Sequence, residues 1–424
     1  MTAERCRMSL GVVVGAFVSA TSAALPDIVS SPLFTARTDT VSRVVSYVLK
    51  PVAGFNQQHP YFNNKAMTDD GRFIVLAYAD DEATGTVTNE GQKALAVVDI
   101  AQNRVVKLPD IGRFSIPFLD VKTARLYCAD RTDESMAMFD LRANPAQKIR
   151  LCDLPREILA LGPVKRWYTH LTLTADRTRA YLDTSVDAKR WIQGLLRFSD
   201  GSFEKWGETD FPCGHSQICP VNDRIAYGGR SQPGKHRVPD PKHPGQTMLV
   251  PIPKERPYPC MWLMRPGEKP RMIPSRDINH STHQNWFEDG RGWYWCSRLP
   301  GPGRRNYTKW GVYAYDLATD AETKISSEKA LHATITADRS AIVYDWPDPH
   351  WSVSYQNLQT KKVVPIHSAM PDYFLIRAKS SLHADPHPQF VCRDRWILSM
   401  VIVDEGKRLT VAVTPVDQLE EKTK

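Results

Sequence analysis

The chain has 424 residues, 42% of them hydrophobic and 24% charged, with a formal net charge of +8 and a pI near 9.0. That balance excludes a disordered or fibrous protein and allows a large packed core. The positive excess points to a polyanionic partner, but there is no concentrated basic helix and no aromatic-basic ribonucleoprotein signature, so no nucleic acid is expected.

The first element reads as an export leader spanning residues 1–24. Arg5 and Arg7 precede the apolar run MSLGVVVGAFVSATSAA, residues 8–24, which ends in small residues and is short for a membrane span. Residues 25–424 are expected to form one exported domain, periplasmic or secreted, with no membrane span. Of the eight cysteines, Cys6 lies in the leader. The other seven, at 128, 152, 213, 219, 260, 296 and 392, are odd in number and without CxxC pairs. They form neither a disulfide framework nor a zinc-finger pattern, and any bridge among them is open.

A strand over roughly 30–50 comes next, and after it a repeat. The stretch MTDDGRFIVLAY (67–78) is a tight turn followed by an apolar strand. The scheme returns in LDVKTARLYCAD (119–130), LTADRTRAYLDT (173–184), CPVNDRIAYGGR (219–230), WFEDGRGWYWCSR (286–298), ITADRSAIVYDW (335–346) and FVCRDRWILSMV (390–401). Measured at Asp70, Lys122, Asp176, Asp223, Asp289, Asp338 and Asp394, the steps run from 47 to 66 residues. Most turns are followed by a second hairpin, such as ALAVVDIAQNRVVKL (94–108) or GVYAYDLATDAETKIS (311–326). Four short strands per unit at this period predict an all-β, seven-bladed β-propeller of four-stranded blades, closed by the N-terminal strand. The longest step contains a Pro-rich basic insertion, 231–259, with His236 and His243. Such insertions map to loops on one face, often the binding face.

Six of the seven units carry a histidine at or before their first strand: His59, His170, His215, His283, His332 and His387. In a propeller the first strand of each blade lines the axial channel, so these imidazoles are expected to meet at one mouth. His383 and Asp385 join them, because His383, Asp385 and His387 alternate and would project to one side of an extended strand. Imidazole is the common ligand of divalent metals and the side chain best suited to move protons near neutral pH. One mouth could therefore hold a Lewis-acid metal beside a general base.

The motifs HPYFNNKAMTDDGRFIVLAYAD (59–80), CGHSQICPVNDRIAYGGR (213–230), THQNWFEDGRGWYW (282–295), LHATITADRSAIVYD (331–345) and DPHPQF (385–390), in this order, resemble oligogalacturonate lyase of polysaccharide lyase family 22. The similarity covers most of the chain after about residue 55. It implies a seven-bladed propeller that cleaves oligogalacturonides, as in pectin degradation, by β-elimination with a divalent metal, typically Mn2+. It implies His283 and His387 as metal ligands, His215 as general base and His332 at the pocket rim. The family carries His-Pro-His-Pro, with a glutamine three residues earlier. Here Asp385 stands at the first histidine and Leu382 at the glutamine, with His383 one position along as a substitute ligand. Arg190 and Arg197 lie in the region of the family arginine that neutralises the substrate carboxylate.

The expected metal set is therefore His283, His383, Asp385 and His387. The expected catalytic groups are His215, Arg190 and Arg197. His59, His170, His332 and Trp286 would contact an acidic oligosaccharide, with Trp286 and Trp351 able to stack on sugar faces. A monomer or weak dimer is expected. The competing reading is a non-catalytic exported propeller that binds glycans or proteins, similar to the propeller of the Tol system. A sialidase-like hydrolase would need paired carboxylates or a tyrosine nucleophile with an arginine triad, which the sequence does not show.

Overall fold

The structure, a computed structural model, describes residues 27–52, 55–80, 94–109, 111, 116–186, 190–209, 213–229, 235–239, 247–251, 261–273, 281–300, 307–347, 350–371, 385–406 and 408–424. The expected leader, His243, Cys260 and His383 lie outside these residues. Among the described residues no helix is long and apolar enough to cross a membrane.

Each repeat unit folds through local chemistry. Apolar runs alternate with turns in which an Asx or Thr side chain replaces a backbone partner. Asp70 accepts from the N–H of Arg72 and from Thr68 Oγ1, at 3.1 and 2.6 Å. Asp176 does the same with Thr178 and Thr174, at 3.1 and 2.6 Å, and Asp338 accepts from the N–H of Ser340 at 3.0 Å. The residue after each aspartate is left-handed: Gly71 at φ 70°, Arg177 at 61°, Gly290 at 67° and Arg339 at 62°. At Gly290 a Cβ would lie 2.3 Å from Val221 Cγ2, so glycine is needed for space as well as for conformation.

These units form the seven blades of a β-propeller, with antiparallel neighbours throughout each blade. The inner strands are Phe55–Gln58, Phe118–Asp120, Thr172–Leu173, Gly214–Cys219, Ser281–Trp286, Ala333–Ile335 and Gln389–Val391. Neighbouring inner strands touch around the axis, as Gly214–Cys219 does with both Thr172–Leu173 and Ser281–Trp286. All enter from the same mouth. In the third blade the inner strand is interrupted: Val164–Arg166 and Thr172–Leu173 both pair with Arg179–Val186.

The N-terminus closes the ring. Val45–Leu49 pairs with Arg408–Pro415 of the seventh blade, and Phe34–Thr38 adds outside it. Both lie within the expected closing segment. They leave the seventh blade with five strands in the order Phe34–Thr38, Val45–Leu49, Arg408–Pro415, Trp396–Val403, Gln389–Val391. Apolar faces pack between blades, as where Tyr227, Trp286, Trp293 and Tyr315 meet with ring centroids 4.7–5.7 Å apart. Within the insertion, Lys235–Pro239 and Thr247–Pro251 pair as a hairpin of their own. It follows the strand Asn222–Gly229, whose last residue pairs with Gly214, so it leaves the blade at the mouth where the inner strands begin.

Candidate metal centre and proton-transfer site

Six blades deliver one histidine each to that mouth, and Tyr61 stands among them. Its ring stacks on His170 at 4.7 Å. It lies 4.6 Å from His387, 5.6 Å from His332, 6.1 Å from His215 and 6.2 Å from His283. On one side of Tyr61, His283 and His332 are 4.1 Å apart, and His332 and His387 are 4.3 Å apart. On the other side His170 and His215 are 4.7 Å apart. His59 joins beside His387, at 6.4 Å.

The backbone spends strain to aim three of these side chains. His215, His283 and His387 are left-handed, with φ of 56°, 58° and 46°. For a non-glycine residue this costs on the order of 1–2 kcal/mol each. In the fourth and fifth blades the device is a bulge: the pairing skips His215–Ser216, between Gly214 and Gln217, and His283–Gln284, between Thr282 and Asn285. A Cβ at Gly214 would lie 2.8 Å from Thr169 Oγ1, so glycine lets this strand approach the third blade. Repeated strain at one register, beside a cluster of ionisable groups, marks a functional site.

A second device fixes the rings. Nδ1 of His332 lies 3.0 Å from Asp345 Oδ2, that of His170 lies 3.0 Å from Asn63 Nδ2, and that of His283 lies 2.6 Å from Thr282 Oγ1. Nδ1 of His59 lies 2.5 Å from the carbonyl of Pro60, with Gln389 Nε2 at 3.3 Å. With Nδ1 tied, His59, His170 and His332 present Nε2 as the working atom. Asp345 also accepts from the N–H groups of His332 and His387, at 2.9 and 3.0 Å, and so clamps two blades together. Asp183 repeats the clamp, accepting from the N–H of Thr169 and of Ser216 at 2.5 and 3.2 Å.

One group can hold a cation. His332, Asp385 and His387 are buried, and each offers a ligand atom within 4.8 Å of the others. Two imidazoles and a carboxylate suit a divalent transition metal. The Asp345–His332 pair behind them is the carboxylate–histidine arrangement that orients Nε2 and raises its basicity as a ligand. These residues therefore fit a bound divalent ion.

Burial disfavours the charged forms of His59, His170 and His215. It pushes His59 down to about 4, against the hydrogen bonds its ring makes to the Pro60 and Pro386 carbonyls. It pushes His170 well below its usual value, helped by repulsion from His215, were both rings protonated, and from Arg166. His215 is lowered to about 4, first by burial of its ring and then by Arg166 and His332, although part of its surface stays accessible. Asp345 is raised by burial against the pull of His332. Asp183 is raised to about 6 by burial, opposed by Thr169 and Ser216.

The six register histidines, Asp385 and Arg190 thus sit at or beside one mouth. Arg190 pairs with Val186 at the mouth end of its strand and donates to the Leu161 carbonyl at 2.8 Å. Arg197 is corrected: it ends the same strand seven residues on, opposite Arg179, exposed and 3.4 Å from Asp200. Arg166, whose charge reaches His170 and His215, is the second arginine at the mouth instead. Trp286 is corrected as well. It is buried in the seam between the fourth and fifth blades and donates to the Gln217 carbonyl at 3.0 Å, so it has no face for a sugar. Trp351 is likewise buried in the core between the sixth and seventh blades. The compact ligand group includes His332, which the resemblance placed at the rim, with His283 packed against it. Cys128, Cys152, Cys213, Cys219, Cys296 and Cys392 are thiols.

Sequence reasoning missed Tyr61, Asp345, Asn63 and Arg166. Asp345 had a signal: it stands seven residues after the turn aspartate Asp338, as Asp183 does after Asp176.

No protein-family model matches the chain, and no curated protein matches it. Solved structures do. One is an oligogalacturonate lyase in complex with manganese, 16% identical, with a TM-score of 0.68 over 90% of this chain and 96% of that one. Another is an oligogalacturonate lyase from Vibrio parahaemolyticus, 16% identical, with a TM-score of 0.66 over 92% of this chain and 98% of that one. At this identity the likeness is one of fold, and it spans nearly the whole of each chain.

Proposed function

We propose that the protein is an exported lyase that cleaves uronic-acid-containing oligosaccharides, oligogalacturonides or their close relatives, by metal-assisted β-elimination. The observation that carries this reading is the gathering of six blade-entry histidines at one mouth, with His332, Asp385 and His387 drawn to within 4.8 Å. A scaffold has no need of neutral, oriented imidazoles packed around a partly accessible base.

Elimination requires loss of the C5 proton beside the carboxylate and departure of the oxygen on C4. His332, Asp385 and His387 would hold a divalent ion, most readily Mn2+, which would supply positive charge beside the carboxylate and acidify C5–H. His215, neutral and reachable from solvent, takes the proton. Arg190 and Arg166 stand at the mouth to bind substrate carboxylates. His59 and His170 are buried behind the mouth, packed against His387 and Tyr61, and the net charge of +8 favours an anionic glycan.

The test is a panel of acidic oligosaccharides, followed by the ultraviolet absorbance of the C4–C5 unsaturated product, with and without chelator. Chelator-sensitive product supports the lyase. No product from any acidic glycan, with bound glycan detected by calorimetry, would support the binding propeller instead.

A further inference from the structure

The site as described has a base but no acid. In β-elimination the leaving oxygen must collect a proton, and the pocket's imidazoles are poorly placed to give one. Burial disfavours the charged forms of His59, His170 and His215. A neutral imidazole accepts protons but is a very weak acid. His332 and His387 belong to the cation group, and His283 packs against it, 4.1 Å from His332 with its Nδ1 tied to Thr282. Arg166 and Arg190 do not release protons in this pH range. The hydroxyls of Thr169 and Thr282 are far weaker acids than a phenol.

Tyr61 has both the proton and the position. A tyrosine carries a phenolic O–H, which can donate a proton as well as accept one. Its ring touches the base side of the pocket through His170 and His215, at 4.7 and 6.1 Å, and the cation side through His387, at 4.6 Å. It is also held firmly. Pro60 restricts the chain before it, and the Tyr61 carbonyl accepts from the N–H of Asn64 at 2.8 Å. Phe62 is buried against it at 4.8 Å, and Asn64 Nδ2 donates to the carbonyls of Pro117 and Leu171, both at 2.9 Å.

We propose that Tyr61 is the proton donor to the departing C4 oxygen, an assignment that rests on the lyase reading above. The proton balance closes within the site. His215 takes the C5 proton, and the C5–H electron pair becomes the C4–C5 π bond. The C4–O bond breaks, and the leaving oxygen takes the Tyr61 proton. Transfer of a proton from the His215 imidazolium to the Tyr61 phenolate restores both groups. No further reactant is needed.

The test is Tyr61→Phe, which keeps the aromatic ring, with trigalacturonate and Mn2+ in D2O. Removing a general acid is worth about 100- to 10,000-fold, so unsaturated product should form at least about 100-fold more slowly. Deuterium should still enter C5, because the base remains, and Mn2+ affinity should be unchanged. Elimination by the variant within about threefold of wild type overturns the assignment and leaves the lyase standing. Loss of C5 exchange and Mn2+ binding together with elimination shows a packing role and also overturns it. A wild-type protein that neither exchanges nor eliminates on any uronide removes the lyase reading, and the assignment with it.

Discussion

Asp345 shows how much a single side chain can organise. It is fully buried, accepts from the N–H groups of two blades and stands behind the His332 ring. Asp345→Asn keeps the shape but removes the charge that holds the Nδ1 proton in place. The loss of such a partner typically costs about 10- to 100-fold in metal affinity, and Mn2+ titration of the variant should show it. Unchanged affinity would separate His332 from the cation group. The histidines carry a second consequence. Their folded pKa values lie below the unfolded value of about 6.5, so the unfolded chain binds more protons in the acid range and stability falls as pH falls through it. His59, His215 and His367, each lowered to about 4 by burial, act this way, and His170 goes with them. Asp183, raised to about 6, acts in the opposite sense, since its protonated form is favoured in the folded state. Asp69, Asp345 and Asp394, raised by burial, act with Asp183, but aspartates lowered by hydrogen bonds, such as Asp70, Asp130 and Asp176, add to the histidines, so the balance stays with stability lost on acidification. The melting temperature should therefore climb steadily from pH 4.5 to pH 6.5, and a flat or falling profile would contradict the neutral-histidine account. At this scale the sequence showed which histidines share a register. It could not show the left-handed backbone at His215, His283 and His387, because φ at a bulge is set by the neighbouring blade. Tyr61 stayed hidden because one tyrosine beside His59 carries no periodic mark, and only closure of the ring brings it among five other blades.

Elements were the most legible level where turn chemistry is local. An Asx residue followed by a left-handed position and an apolar strand is written in consecutive residues, and the hairpins at Asp70, Asp176, Asp289 and Asp338 follow it, whereas those at Lys122, Asp223 and Asp394 turn by other conformations. Legibility ended where tertiary contacts override pattern. The inner strand of the third blade is broken between Val164–Arg166 and Thr172–Leu173, and the parallel bridge of Ile116 to His170 fills the interruption. Arg190 and Arg197 were indistinguishable from composition, yet they lie at opposite ends of one strand; only the direction of the hairpin separates them. The closing strands give a prediction of their own. Removing residues through Lys50 would uncover the edge of Arg408–Pro415 and the apolar faces of Val48 and Leu49's partners in the seventh blade. An unpaired central edge templates association. Calorimetry should show a lower, broader transition and light scattering should show aggregation; a truncated chain that melts like the full one would mean the ring closes without its N-terminus.

The whole molecule turns sequence distance into proximity. Blade entries separated by up to about three hundred residues of chain share one mouth because a ring brings the start of every inner strand to the axis. That is why a register argument could anticipate the site while individual motifs could not. The insertion adds to the same face, since it leaves the fourth blade beside Gly229 and Gly214. The central claim is that these distant residues make one cation site. Isothermal titration of the full chain with Mn2+, beside His387→Ala and with melting curves for both proteins, tests it most directly. The account predicts one Mn2+ per wild-type chain and none for the variant, whose fold survives. No binding by wild type, or equal binding by His387→Ala, would contradict it.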